Sequence, residues 1–165
     1  MNDLRLIRDQ KIIEFNYDQN FKKDDFYISS SNQHIVKLIN NWPKWEKNFL
    51  NISGDKYSGK THLVNIFLEK FNGIKFEADL FNNENLKQIK IYQNIILENL
   101  TKRINEKLIY TLLNIVDQDN KHLIITTTKP IVEIEFDLKD LKSRTNNFLL
   151  QVIKKPDDDL LFALI

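Results

Sequence analysis

The sequence predicts an α/β domain: a three-layer sandwich with a mostly parallel five-stranded sheet and helices on both faces. Three observations carry this. Short apolar runs alternate with amphipathic stretches in the order β-α-β-α-β-α-β-α-β, and that alternation packs as parallel strands joined by crossover helices. A glycine-bearing octapeptide, Gly54-Asp-Lys-Tyr-Ser-Gly-Lys-Thr61, lies between the first apolar run and the helical stretch after it. The chain has 165 residues, 42% hydrophobic and 28% charged, which suits one globular domain with its own core.

The elements follow in order. Ser31 and Asn32 are N-cap candidates for a helix through Ile35, Leu38 and Ile39. Trp42-Pro43 ends it, because the residue before a proline is pushed out of the helical region. Residues 48–53 form a buried strand that Gly54 breaks. From Lys60 to Phe71, Leu63, Val64, Ile66, Phe67 and Leu68 mark an amphipathic helix, with Gly73 past its end as a C-cap. Residues 74–78 alternate like a strand, residues 86–90 are weakly helical, and residues 94–98 are a compact apolar strand ending in Glu98. A helix from Ile104 to Val116 turns Leu108, Ile109, Leu112, Leu113 and Val116 inward. Residues 122–127 are another buried strand, residues 138–143 a short helix and residues 147–153 the last strand. Pro156-Asp157 starts a further helix.

Charge and composition exclude several function classes. A formal net charge of +1 provides no whole-chain field to draw in DNA or an anionic membrane. The absence of cysteine rules out disulfides, thiolate-bound zinc and thiol catalysis, and it suits a cytoplasmic location. No apolar run is long enough for a signal peptide or a membrane span. His34, His62 and His122 lack metal-ligand spacing.

The octapeptide fits G-x-x-x-x-G-K-[ST] at every fixed position, the pattern of a phosphate-binding loop. Gly54 lets the chain leave the strand through a backbone shape that other residues resist. Gly59 lets the backbone approach the phosphates. N–H groups then converge at a helix start, where the dipole also favours anions. Lys60 supplies a charge to the β/γ-phosphates and Thr61 a hydroxyl to Mg²⁺. The expected ligand is ATP or ADP with Mg²⁺, held by Gly54, Asp55, Lys56, Tyr57, Ser58, Gly59, Lys60, Thr61 and His62. Of the chain's 3 glycines, two stand in this loop.

Three further candidates carry two readings each. Glu98 is either the acid that serves Mg²⁺ in company with Thr61 or an acid that merely ends a strand. Its neighbour Asn99 cannot act as a general base, so hydrolysis should be slow. Thr126, Thr127 and Thr128 either place a hydroxyl, Thr128 foremost, near a γ-phosphate or the attacking water, or reflect β-propensity. Arg144 is either an arginine finger for a neighbour's nucleotide or a solvated surface residue.

In Asp25-Phe-Tyr-Ile28 with Ser31-Asn32, Ile39-Asn-Asn-Trp-Pro-Lys-Trp45, Lys60-Thr-His-Leu63, Leu97-Glu-Asn99, Ile125-Thr-Thr-Thr-Lys-Pro130 and Leu138 to Arg144 followed by Pro156-Asp-Asp158, the chain resembles the DnaA-related AAA+ family. It is most similar to that family's short Hda-type regulators of replication initiation, in their alphaproteobacterial form. The resemblance implies that Phe26 lies against the adenine, core filling being its competing reading, and that Arg144 is an arginine finger. It also implies that Gln10-Lys-Ile-Ile-Glu-Phe15 is a peptide that grips the sliding clamp through Gln10, Ile13 and Phe15. Lys11 departs from the usual leucine, and a short strand packed on its own domain is the competing reading of that peptide. The domains implied are an N-terminal segment over 1–23, an AAA+ nucleotide-binding domain over 24–155 and the start of a lid over 156–165, the lid itself largely absent. Neither a sensor-2 arginine nor a helix-turn-helix domain follows, so no sequence-specific duplex binding is expected.

The function this implies is regulation of the initiator DnaA, with the sliding clamp as recruiter and weak or absent ATPase activity in the chain itself. An active DNA-associated ATPase of the initiator or loader kind, working as an oligomer, is the second reading. A small P-loop kinase is the third, disfavoured by the lack of an arginine-rich lid.

Overall fold

The structure is a computed structural model and describes residues 28–154. The readings placed on Gln10, Ile13, Phe15 and Phe26 and on Pro156-Asp-Asp158 lie outside those residues. The elements are α1 (Gln33–Asn40), β1 (Phe49–Ser53), α2 (Lys60–Phe71), β2 (Ile74–Glu77), α3 (Asn83–Gln88), β3 (Asn94–Glu98), α4 (Glu106–Gln118), β4 (His122–Thr127), α5 (Lys139–Thr145) and β5 (Leu149–Val152). The sheet order is β2-β3-β4-β1-β5, and every pairing is parallel. This is the predicted fold class, with the sheet parallel throughout rather than mostly so.

The two faces divide the apolar residues by strand alternation. Leu50, Ile52, Ile96 and Ile124 pack against Ile35 and Ile39 of α1 and Leu63, Val64 and Phe67 of α2. Ile95, Leu97, Leu123 and Ile125 point the other way, onto Ile109, Leu112, Leu113 and Val116 of α4 and Leu141 of α5. β1 and β3 are buried along their whole length, as strands covered on both faces must be. The five α4 residues read as its inner stripe are the five that are buried. No helix among the described residues is long and apolar enough to cross a membrane.

Several boundaries differ from the sequence expectation, each for a local reason. α3 starts at Asn83, ahead of the predicted Leu86. Asn82 caps it, its side chain accepting from the Glu84 and Asn85 N–H groups while Asn85 bonds back to the Asn82 N–H. Asparagine stands there where a capping box usually has glutamate or glutamine, which hid the signal. Asn32 does occupy the N-cap position of α1, but its Oδ1 accepts from Ser29 N at 3.1 Å instead of closing the helix.

Gly73 is not a left-handed cap. Asn72 takes the positive φ of 52°. A Cβ on Gly73 would lie 2.6 Å from the Asn94 carbonyl oxygen, so glycine is needed where the turn into β2 presses on β3.

His122 opens β4 between two tryptophans, with ring centroids 5.5 Å from Trp42 and 5.7 Å from Trp45. Burial holds its pKa below the ordinary 6.5, since an imidazolium loses hydration there. The unfolded chain therefore takes up a proton first as pH falls. Stability drops from about pH 6.5 downward until the folded-state pKa is reached. The His122→Phe variant should lose that part of the pH dependence, and chemical unfolding at pH 7.5 and 5.5 measures the difference.

Candidate phosphate-binding site

Five parallel strands put all their carboxyl ends on one edge, and ligands of open α/β sheets bind there. The loop 54–59 leaves the end of β1 at that edge and enters α2 at Lys60. Gly59 is the N-cap residue with φ 94°, a conformation that disfavours any side chain. Gly54 is needed for a different reason than the sequence suggested. Its φ is not in the left-handed region. Instead, a Cβ there would meet Ser58 Oγ at 2.7 Å and Ile153 Cβ at 3.2 Å. The second left-handed residue of the loop is Tyr57, at φ 65°, a residue 91% exposed.

Lys60 is buried, and its Nζ donates to the Gly54 and Asp55 carbonyls, each at 2.7 Å, and to Ser58 Oγ at 3.4 Å. Burial lowers its pKa from the ordinary lysine value, while the charges of Asp55 and then Glu98 act in the opposite direction. An anion seated on the loop would add to the second influence and favour the ammonium form. Lys60 is thus held on loop oxygens at the start of α2, where the helix N–H groups favour an anion.

A cleft of about 440 Å³ opens over this loop, lined by residues 56–62 with Asn99 and Thr128. Seven of the loop residues named from sequence therefore line one space together with Thr128. Gly54 and Asp55 support it from behind through Lys60. The threonine run separates by role. Thr126 Oγ1 accepts the Asn99 N–H at 2.9 Å, Thr127 Oγ1 accepts from Asn51 Nδ2 at 2.9 Å, and Thr128 faces the cleft.

Glu98 ends β3 and is 1% exposed. Its Oε2 lies 3.2 Å from Lys75 Nζ on β2, and its Oε1 has no hydrogen-bond partner among the described residues. Arg144 is distant from the cleft. It sits in the last turn of α5, stacks over Tyr110 of α4 at 5.6 Å and lies 3.7 Å from Asp117. Both helices end there beside the amino ends of β4 and β5. It is at the sheet edge opposite the phosphate loop and has no part in its own chain's cleft.

The residues present fit a nucleotide's phosphates. Left-handed Gly59, the helix start and buried Lys60 make an anion cradle, and the cleft is of ligand size. For Mg²⁺, Thr61 offers a hydroxyl on the cleft, while Glu98 is not among the residues that line it and has one oxygen against Lys75.

No protein-family model matches the sequence, and no curated protein matches it. Solved structures do. The AMPPCP-bound DnaA of Aquifex aeolicus superposes with a TM-score of 0.73 at 16% identity, covering 88% of this chain and 53% of that one. Domain III of the Thermotoga maritima DnaA gives 0.69 at 15% identity, covering 88% and 72%. DnaI gives 0.63 at 16% identity, covering 81% and 87%. The fold is that of the DnaA AAA+ domain. This chain spans about half the length of the first DnaA structures it matches, 53% and 52%.

Sequence reasoning passed over Asn51, which fixes the cleft wall from inside the sheet. Its Nδ2 donates to Ile125 O and Thr127 Oγ1, and its Oδ1 accepts the Ile131 N–H at 2.9 Å. That clamp bridges the loop carrying Thr128. Its only sequence signal is a polar amide inside an otherwise largely apolar buried strand. Replacing it with leucine, Asn51→Leu, leaves a buried N–H unsatisfied, and should cost about 2–3 kcal/mol. Urea unfolding reads this directly; a loss within about 0.5 kcal/mol, the scatter of surface substitutions, would count against the clamp.

Proposed function

We propose that this chain binds ATP or ADP on the loop 54–61 and acts as a DnaA-related, Hda-type regulator of chromosomal replication initiation. Thr61 is the residue that would serve a Mg²⁺ arriving with the nucleotide. The sliding clamp recruits the chain through Gln10, Ile13 and Phe15. Arg144 then reaches the nucleotide site of the initiator DnaA and promotes ATP hydrolysis there. The observation that carries the nucleotide part is buried Lys60, bonded to two loop carbonyls at the start of α2. The nucleotide analogue in the similar Aquifex DnaA structure, and in a DnaA structure that also holds single-stranded DNA, supports the same ligand.

Weak turnover in this chain follows from Asn99. Its amide Nδ2 donates to Glu77 Oε2 at 2.9 Å, so it offers no base at the strand end. The position of Arg144 supports action on a neighbour, since its own cleft is at the opposite sheet edge. A second reading, an active DNA-associated ATPase, draws on Thr128, whose place on the cleft suits ordering a water. Steady hydrolysis stimulated by DNA would decide for that reading.

Calorimetry tests the proposal in two steps. Lys60→Ala should weaken ADP and ATP binding by about 10- to 100-fold, the worth of a charge-assisted hydrogen bond. Unchanged affinity removes the phosphate-loop assignment. Gln10→Ala should weaken binding to purified sliding clamp by about tenfold or more. If clamp affinity does not change, recruitment through this peptide is wrong while nucleotide binding stands.

A further inference from the structure

We infer that Lys75 is a built-in counter-ion for the site acid, and that it makes nucleotide binding by this chain largely independent of magnesium. The inference rests on the nucleotide reading above and concerns how that site handles charge.

The placement follows from register. β2 and β3 run parallel with Lys75 opposite Ile96 and Glu77 opposite Glu98. Lys75 and Glu98 therefore share a sheet face, the one covered by α2, and stand one diagonal step apart. The Lys75 ammonium is held at two points: Glu98 Oε2 at 3.2 Å and Asn65 Oδ1 of α2 at 2.9 Å. The carboxylate is almost wholly buried and the lysine about one-third exposed. A buried carboxylate requires a compensating charge, and the fold supplies it from the neighbouring strand.

That compensation changes what the acid can do. A carboxylate whose charge is already paired with an ammonium attracts a divalent ion less strongly than a free one. Here one oxygen already faces an ammonium, and Lys60, itself buried, lies close enough for Glu98 to influence its charge. A divalent cation beside Glu98 would meet two positive groups where dielectric screening is weak. Metal and Lys75 thus compete for one carboxylate. The phosphate charge is carried instead by Lys60 and the loop amides. The extra methylene of glutamate over aspartate is consistent with this, since it lengthens the reach toward β2.

The test is calorimetry of the full chain with the non-hydrolysable triphosphate AMPPCP, in excess Mg²⁺ and again in excess EDTA. The wild-type dissociation constant should differ by less than about threefold between the two buffers. Lys75→Met should make binding metal-dependent by about tenfold or more, and Lys75→Arg should restore indifference to metal. A tenfold loss in EDTA for the wild-type chain overturns the inference, and that measurement needs no variant to fold. Equal metal dependence in wild type and a folded Lys75→Met variant overturns it as well. Absence of AMPPCP binding in both buffers sinks the nucleotide reading itself, a distinct outcome.

Discussion

The structure depends on β1 being a parallel strand paired on both sides. Flanked by β4 and β5, it can donate and accept along its whole length, and its five residues are all buried. A strand in that position tolerates no polar backbone left over, so the chain must turn out of the sheet at its carboxyl end in one tight step. That step is the loop 54–59. The same direction of travel brings Glu98 and Thr127 to the same edge. The chemistry of the edge is thus a consequence of strand polarity, and the side chains refine it.

Refinement comes from bonds across elements that are distant in sequence. Asn51 ties the inside of β1 to the segment that follows β4, and Thr126 fixes the backbone after β3 through the Asn99 N–H. Glu106, in the first turn of α4, accepts the Asp137 and Leu138 N–H groups at 3.0 and 2.7 Å, which caps α5 from another helix. Each of these holds a cleft wall or the element behind it. The cleft is therefore an assembly of strand ends tied by these bonds, with Tyr57 exposed at its rim.

Much of this was legible in the sequence. The fold class followed from alternation, and the phosphate loop from spacing and flanking elements. The inner stripe of α4 followed from its 3.6-residue period. What escaped shares one property: it depends on partners that local pattern cannot display. α5 has no cap of its own, because Glu106 serves it. Lys75 carries no sequence sign of its pairing with Glu98 until the β2–β3 register is known. Gly54 and Gly73 read as conformational glycines, whereas both answer to crowding, Gly54 by Ser58 and Ile153 and Gly73 by Asn94. The left-handed turn fell to Tyr57 and Asn72, residues whose chemistry gave no hint of it beyond the tolerance of asparagine for such backbone.

The phosphate loop and Arg144 occupy opposite edges of one sheet. A contact that delivered this arginine to a nucleotide on another domain of this fold would therefore join two unlike surfaces, one from each partner. Contacts of that kind are heterologous, so no two-fold axis can relate the partners. They have a direction, with a donor end and an acceptor end, and repetition leads to a ring or an open helical stack. A molecule of this shape placed at the end of such a stack would present either its cleft or its arginine to the neighbour, never both, and which of the two is covered would define its polarity in the assembly.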